Sequence, residues 1–137
     1  MNAGNSDSHQ ILPHPLPRGR SERAALVILR RMAAHGFRDT AATMLALETF
    51  GIGFRRVLVL LRAYMVELAR GSNRTISLAP CCAMRMTDDE GLMMEALALA
   101  ATDTDAAARS LRLLSRNAHV GEPLSVAFMV NRALRGR

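Results

Sequence analysis

Three glycines limit the first half of the chain to short helices. Gly36, Gly51 and Gly71 each follow a segment whose apolar residues recur at the three- and four-residue spacing of an α-helix. Because glycine takes the left-handed conformation that commonly ends helices, each of these positions predicts a helix C-terminus. The helices expected before them are residues 21–35, 41–50 and 54–70. Ser21 is the expected N-cap of the first helix, and Asp39 or Thr40 that of the second.

The clearest helix start lies in the second half, at Thr87-Asp88-Asp89-Glu90. A threonine followed three residues later by glutamate is typical of a capping box, in which each side chain binds the backbone N–H of the other residue. Gly91 follows at a helical position that normally carries a packed side chain, so another segment is expected to lie close to it. Further helices are expected at residues 88–101, after a cap at Asp103 or Thr104, and from Pro123 onward.

These elements predict an all-α protein. Half of the residues are apolar but only 4% are aromatic, so the core must consist of Leu, Val, Met and Ala. Such a core suits closely packed helices, because Ala and Leu are strong helix formers and Ala lets helices approach one another. A chain of 137 residues fits one domain. We therefore expect a compact bundle of five to six short helices.

Residues 1–19 are expected to be a disordered tail, and residues 20–137 a single helical domain. The tail is rich in Asn, Ser and Gly and then alternates proline with other residues, which favours an extended backbone. Its histidines, His9 and His14, are interpreted as ordinary tail residues.

One extended connector, which carries both cysteines, is expected between the third and fourth helices. Residues 74–78 alternate polar and apolar side chains, a pattern typical of a strand. No second strand is evident, so this segment either lies extended on the helices or pairs with its own copy in a dimer. Pro80 ends any such strand.

The positive charge is concentrated in the first half of the chain. All eighteen basic residues are arginine, and residues 18–74 hold eleven of them against four acidic residues, a net charge of +7. Residues 75–137 are neutral, with seven arginines and seven acids. This asymmetry indicates either a solvated basic surface or a site for an anionic partner. The candidate anion- or partner-binding residues are Arg30, Arg31, Arg38, Arg55, Arg56 and Arg62.

Arg55 and Arg56 are unusual because they lie in the first turn of the third helix. Cations at a helix N-terminus oppose the helix dipole, typically by about 0.3–1 kcal/mol. Their position predicts a negatively charged partner, either Glu48 of the preceding helix or an external anion.

A helix-turn-helix interpretation fits poorly. The second helix offers mainly Ala, Thr and Leu where a recognition helix needs Arg, Asn or Gln, and the third is too apolar to lie in a DNA groove.

Cys81 and Cys82 form a candidate thiol site with Arg85. The thiols could be buried apolar groups, a redox or regulatory site, or metal ligands. No C-x-x-C spacing and no second Cys/His cluster completes a zinc site, so no metal site is predicted. Adjacent cysteines can pair with each other only through a strained disulfide.

The sequence shows no motif typical of a secreted protein, a membrane protein or a common enzyme class. No signal peptide is recognised, and the most apolar run, residues 57–68, is interrupted by Arg62 and Glu67 and is too short to cross a bilayer. We expect a cytoplasmic protein without a membrane partner. No Ser/His/Asp pattern, phosphate-binding glycine loop or HExxH motif is present, which disfavours an enzyme, and no cofactor is predicted.

Two segments carry a resemblance to a known family. Residues 29–39, LRRMAAHGFRD, and residues 79–90, APCCAMRMTDDE, resemble a small functionally uncharacterised family of sphingomonad-type bacterial proteins. The likeness extends over about residues 23–110. It implies a bacterial source and no assigned activity or catalytic residues.

The preferred functional hypothesis is a non-enzymatic regulatory or protein-interaction module whose basic first half binds an acidic protein partner. A homodimer is one form of this hypothesis. Nonspecific nucleic-acid binding through arginine is the first alternative. A thiol-based sensor or enzyme at Cys81 and Cys82 is the second.

Overall fold

The protein is described by a computed structural model over residues 12–136, and its helices follow the expected order. The helices are α1 (Arg20–His35), α2 (Thr40–Phe50), α3 (Phe54–Gly71), α4 (Asp88–Leu99), α5 (Thr104–Ser115) and α6 (Gly121–Arg135). Two short strands, β1 (His14–Pro15) and β2 (Arg85–Met86), pair antiparallel. The predicted all-α class is confirmed. No helix in this part of the chain combines the length and apolar character needed to cross a membrane.

Glycines end the first two helices as predicted. Gly36 (φ 100°) follows α1, and Gly51 (φ 60°) follows α2. Asp39 caps α2, because its carboxylate accepts a hydrogen bond from the Ala42 N–H at 2.9 Å. The prediction that Ser21 caps α1 is wrong: the helix begins one residue earlier and its N-cap is Gly19.

Helix α3 lies at the centre of the bundle, where it packs against α1, α2 and α6. Helices α4 and α5 pack against each other and, through α4, against α6. Tyr64 of α3 is fully buried and donates a hydrogen bond to the Met93 carbonyl at 2.8 Å, and burial raises the pKa of its hydroxyl. Fully buried alanines on every helix interface allow this close packing; examples are Ala25, Ala46, Ala96, Ala107 and Ala127.

The end of the predicted tail is part of the folded domain. Strand β1 pairs with β2, so His14 lies opposite Met86. The Arg85 guanidinium donates to the carbonyls of Leu12 and Pro13 at 3.0 and 2.8 Å, which fixes the segment that precedes α1. Residues 12–19 were expected to be disordered, but the structure shows them docked on the bundle. Residues 1–11, the rest of the predicted tail, lie outside the described residues.

His14 explains the missing side chain at Gly91. A Cβ atom at Gly91 would lie 3.1 Å from Cδ2 of the His14 ring, which confirms that another segment packs closely there. Nε2 of His14 also lies 2.8 Å from a carboxylate oxygen of Asp88. His14 is therefore a docked residue of the fold, contrary to its interpretation as an ordinary tail residue.

The connector between α3 and α4, residues 72–87, differs in part from its prediction. Residues 74–78 form no strand; instead the Ser77 N–H donates to the Asp89 carboxylate of α4. At the end of the chain, α6 begins at Gly121, two residues before Pro123. Phe128 of α6 is 41% exposed and lies under the Arg132 guanidinium at 5.9 Å.

We expect the substitution Gly91→Ala to stabilise the protein more strongly when His14 is absent. Alanine is favoured over glycine in a helix by about 1 kcal/mol, but in the wild-type protein its Cβ would push against the His14 ring. In a His14→Ala background this contact is removed. Urea unfolding of the two single variants and the double variant measures the difference. Equal effects of Gly91→Ala in both backgrounds would show that β1 does not pack on α4.

Candidate functional site

The connector that carries the thiols is fixed to the bundle by a buried ion pair. Arg30 of α1 is 2% exposed and Glu90 of α4 is 0% exposed. Nε and Nη2 of Arg30 donate to the two carboxylate oxygens of Glu90 at 2.7 and 2.9 Å. This fork-to-fork geometry is the strongest arrangement that an arginine and a carboxylate form.

Both partners of the pair also bind backbone groups of the connector. The Glu90 carboxylate accepts from the N–H groups of Ala79 and Thr87, at 2.9 and 3.0 Å. The Arg30 guanidinium donates to the carbonyls of Ala83 and Arg85, both at 2.9 Å. The two charges thus hold backbone on each side of the cysteines.

Asp89 holds the beginning of the connector in the same way. Its carboxylate accepts two bonds from the Arg74 guanidinium, at 2.8 and 3.2 Å, and one from the Ser77 N–H at 2.7 Å. Arg74 also donates to the Leu114 carbonyl at 2.8 Å. The capping box of Thr87 and Glu90 is confirmed. The sequence did not predict that the carboxylates of Asp89 and Glu90 also accept hydrogen bonds from the connector backbone.

Arg31 turns in a different direction from Arg30 and links α1, α2 and the connector. Its Nε and Nη2 donate to the Asp39 carboxylate at 2.9 and 3.0 Å, while Nη1 lies 3.9 Å from the Cys81 sulfur. The hydrogen bond with Arg31 holds the pKa of Asp39 below its usual value, and the same carboxylate and the Cys81 thiol raise the pKa of Arg31.

The two thiols are free and accessible to different degrees. Cys82 is exposed and Cys81 is half-buried. Arg85, expected beside them, directs its guanidinium to Leu12 and Pro13 instead. The arginine at the thiols is Arg31, which is 50 residues away in the chain, so no local sequence pattern could have indicated it.

The six candidate arginines do not form one surface. Arg30 is buried and its charge is neutralised by Glu90, so the prediction that it binds an external anion is wrong. Arg31 is paired with Asp39. Arg62 donates to the Phe37 carbonyl at 3.0 Å. The remaining three, Arg38, Arg55 and Arg56, are exposed.

Neither Arg55 nor Arg56 forms an ion pair with Glu48 within residues 12–136, so that predicted partner is not used there. Arg55 lies over the Phe54 ring at 5.6 Å. Arg56 lines a cleft of about 270 Å³ together with Arg132 of α6. Sequence reasoning missed Arg132, because it lies 76 residues after Arg56 and its helix meets α3 only through tertiary packing.

Among the described residues, no group of three or more His, Cys, Asp and Glu side chains is placed to hold a metal ion. The usual donor sets for zinc, calcium and magnesium are therefore not assembled in this part of the chain.

The chain belongs to a family of unknown function, DUF6628, whose sequence profile matches residues 3–135. This agrees with the resemblance to a functionally uncharacterised family. No curated protein and no solved structure matches the chain.

We expect Glu90→Ala to destabilise the protein by about 3–5 kcal/mol, because it leaves Arg30 buried without its counter-charge. The double variant Arg30→Met/Glu90→Met should remain destabilised by at least about 2 kcal/mol, since four backbone groups lose their partners. Urea unfolding measures both. The control Glu48→Ala, at an exposed position, should change stability by less than about 0.5 kcal/mol. A double variant as stable as wild type would refute the role of these backbone contacts.

We expect the Arg31–Asp39 pair to stabilise the protein above about pH 4 and to lose that effect in acid. The pKa of Asp39 is lower in the folded state than in the unfolded chain, where it is about 3.9. Its contribution is therefore fully present above that value and is lost as the pH falls through the folded pKa. Asp39→Asn keeps a capping side chain but removes the charge. The stability difference between wild type and this variant should shrink below about pH 4; a difference that stays constant in acid would contradict the pairing.

Proposed function

We propose that this member of a family of unknown function is a cytoplasmic, non-enzymatic protein-interaction module that binds an acidic segment of a partner protein. The observation that supports the proposal is the pair of exposed arginines, Arg55 and Arg56, at the start of α3. Their charges oppose the dipole of α3, and no acidic side chain of the described residues pairs with them. A negatively charged partner would remove this unfavourable term.

Exposed apolar side chains stand close to these arginines in the chain, on both sides of them. Helices α2 and α3 pack together and leave outward-facing residues on both helices and on the corner between them. We define the α2–α3 surface by Arg38, Met44, Leu47, Ile52, Arg55, Arg56 and Val59. Ile52 is fully exposed, and Val59 and Met44 are 58% and 50% exposed.

This composition favours a protein over a nucleic acid as the partner. Protein interfaces are enriched in Met and Arg, and the α2–α3 surface carries one methionine and three arginines. Binding to phosphates needs arginines alone and would leave Ile52, Val59 and Met44 without a matching group. A second copy of the chain fits less well, because a symmetric contact would bring the three arginines of each copy into one interface, and the surface as defined has no acidic residue.

The cleft at Arg56 offers a place for a carboxylate of the partner. Arg56 and Arg132 line it from α3 and α6, and Phe50 and Val57 supply apolar walls. An aspartate or glutamate side chain entering this cleft would lie beside Arg56 and Arg132. Arg38 is kept near α3 by the hydrogen bond from Arg62 to its neighbour Phe37.

The test compares two charge-reversed proteins with equal net charge. Arg55→Glu/Arg56→Glu alters the α2–α3 surface, and Arg109→Glu/Arg112→Glu alters exposed arginines of α5. Each protein is used to capture partners from its native cytoplasm, with and without nuclease. We expect wild type and the α5 variant to retain a nuclease-resistant protein, and the α3 variant to lose it by at least about tenfold.

Three results would oppose the proposal. Capture that disappears with nuclease and falls steeply with salt would indicate nucleic-acid binding. Equal loss in both variants would indicate an effect of net charge alone. Unchanged capture by the α3 variant would exclude the α2–α3 surface. Circular dichroism of both variants should show unaltered helix content, which separates loss of binding from loss of folding.

A further inference from the structure

Three sulfur-bearing residues, Cys81, Cys82 and Met84, lie within four positions of the connector, and none of them is buried. Cys82 is exposed, Cys81 is half-buried, and Met84, two residues later, is 78% exposed. A methionine is normally buried, and Met93 and Met94 of the adjacent helix are 2% and 6% exposed. The exposed thioether thus follows one half-buried and one exposed thiol within four residues of the chain.

The backbone that carries these sulfurs is held in one conformation. The Ala83 N–H donates to the Pro80 carbonyl at 3.0 Å, which closes a turn with Cys81 and Cys82 at its centre. The residues on either side, Ala79 and Ala83, are bonded to the buried carboxylate and guanidinium of the Arg30–Glu90 pair. Since the turn is already ordered, a ligand would not bear the cost of ordering it.

The turn suits a bridging ion better than a disulfide bond. Consecutive Cα atoms are about 3.8 Å apart, whereas disulfides usually join Cα atoms that are about 4.4–6.8 Å apart. A disulfide also requires the sulfurs to approach to about 2.05 Å. An ion bonded to each sulfur at about 2.3 Å accepts any sulfur separation up to about 4.6 Å. The thiols are therefore expected to stay reduced and able to bind a thiophilic ion.

The type and number of the sulfur donors indicate which metal ion would bind. Two thiolates and a thioether are soft ligands, which favour monovalent copper, and they fall short of the four donors that a structural zinc site needs. Monovalent copper bound by two thiolates carries a net charge of −1. The Arg31 guanidinium, with Nη1 3.9 Å from the Cys81 sulfur, is placed to offset that charge.

We propose that Cys81, Cys82 and Met84 form a binding site for monovalent copper. Copper keeps its oxidation state on binding, and the two thiols release their protons to solvent as two Cu–S bonds form. Met84 supplies the third bond through its thioether sulfur. The site is separate from the α2–α3 surface and does not depend on the proposed function.

The test is a titration of the full-length protein with cuprous ion in the absence of oxygen, with ascorbate as reductant and a chromophoric cuprous chelator as competitor. We expect one ion per chain. Cys81→Ser and Cys82→Ser should each weaken binding by more than about 100-fold, and Met84→Leu by about tenfold. Met129→Leu, at an exposed methionine of α6, should leave the affinity unchanged and serves as the matched control.

X-ray absorption at the copper edge provides a second measurement that does not depend on the variants. It should show three sulfur neighbours in wild type and two in Met84→Leu. Absence of stoichiometric binding, or affinity unaffected by either serine substitution, would overturn the proposal. So would a Met84→Leu protein that matches wild type, or one copper shared by two chains in sedimentation. Urea unfolding of the apoproteins shows whether a weakened variant is still folded.

Discussion

The ion pair between Arg30 and Glu90 is the interaction on which the arrangement of the second half of the chain depends. A buried charge is costly unless it is paired and fully hydrogen-bonded, and here each partner meets that condition through the other and through connector backbone. The pair therefore joins α1 to α4 and fixes the segment between α3 and α4 at the same time. The connector's apolar contacts with the core are limited: Ala79 and Met86 are buried, and Ile76 and Leu78 are partly buried.

Two neighbouring arginines of α1, Arg30 and Arg31, form ion pairs in different environments. Arg30 is directed into the bundle, and its charge is neutralised there. Arg31 lies at the surface, where it pairs with the cap of α2 and approaches Cys81. Of the six candidate arginines, Arg38, Arg55 and Arg56 are the exposed ones. The charge asymmetry of the sequence thus overstates the basic surface of the protein.

Most helix boundaries were predictable from the sequence, because their causes are local. Gly36 and Gly51 adopt positive φ angles, and Thr87 and Glu90 bind each other's backbone within four residues. The candidate site was predictable only in part. Arg30 and Glu90 are 60 residues apart, and an arginine beside an apolar helix face has the same local pattern whether it is solvated or buried. The docking of His14 on Gly91 was predictable in part. The glycine indicated a close contact with another segment, but the sequence did not identify that segment.

Amide hydrogen exchange of the connector tests most directly whether the buried pair organises it. The Ala79 and Thr87 N–H groups donate to the Glu90 carboxylate, whereas Cys82 and Met84 are exposed residues of the same connector. If the pair holds the connector, the amides of Ala79 and Thr87 should exchange only through near-global unfolding, several orders of magnitude more slowly than those of Cys82 and Met84. Exchange of all four amides at similar, fast rates would contradict this role of Arg30 and Glu90.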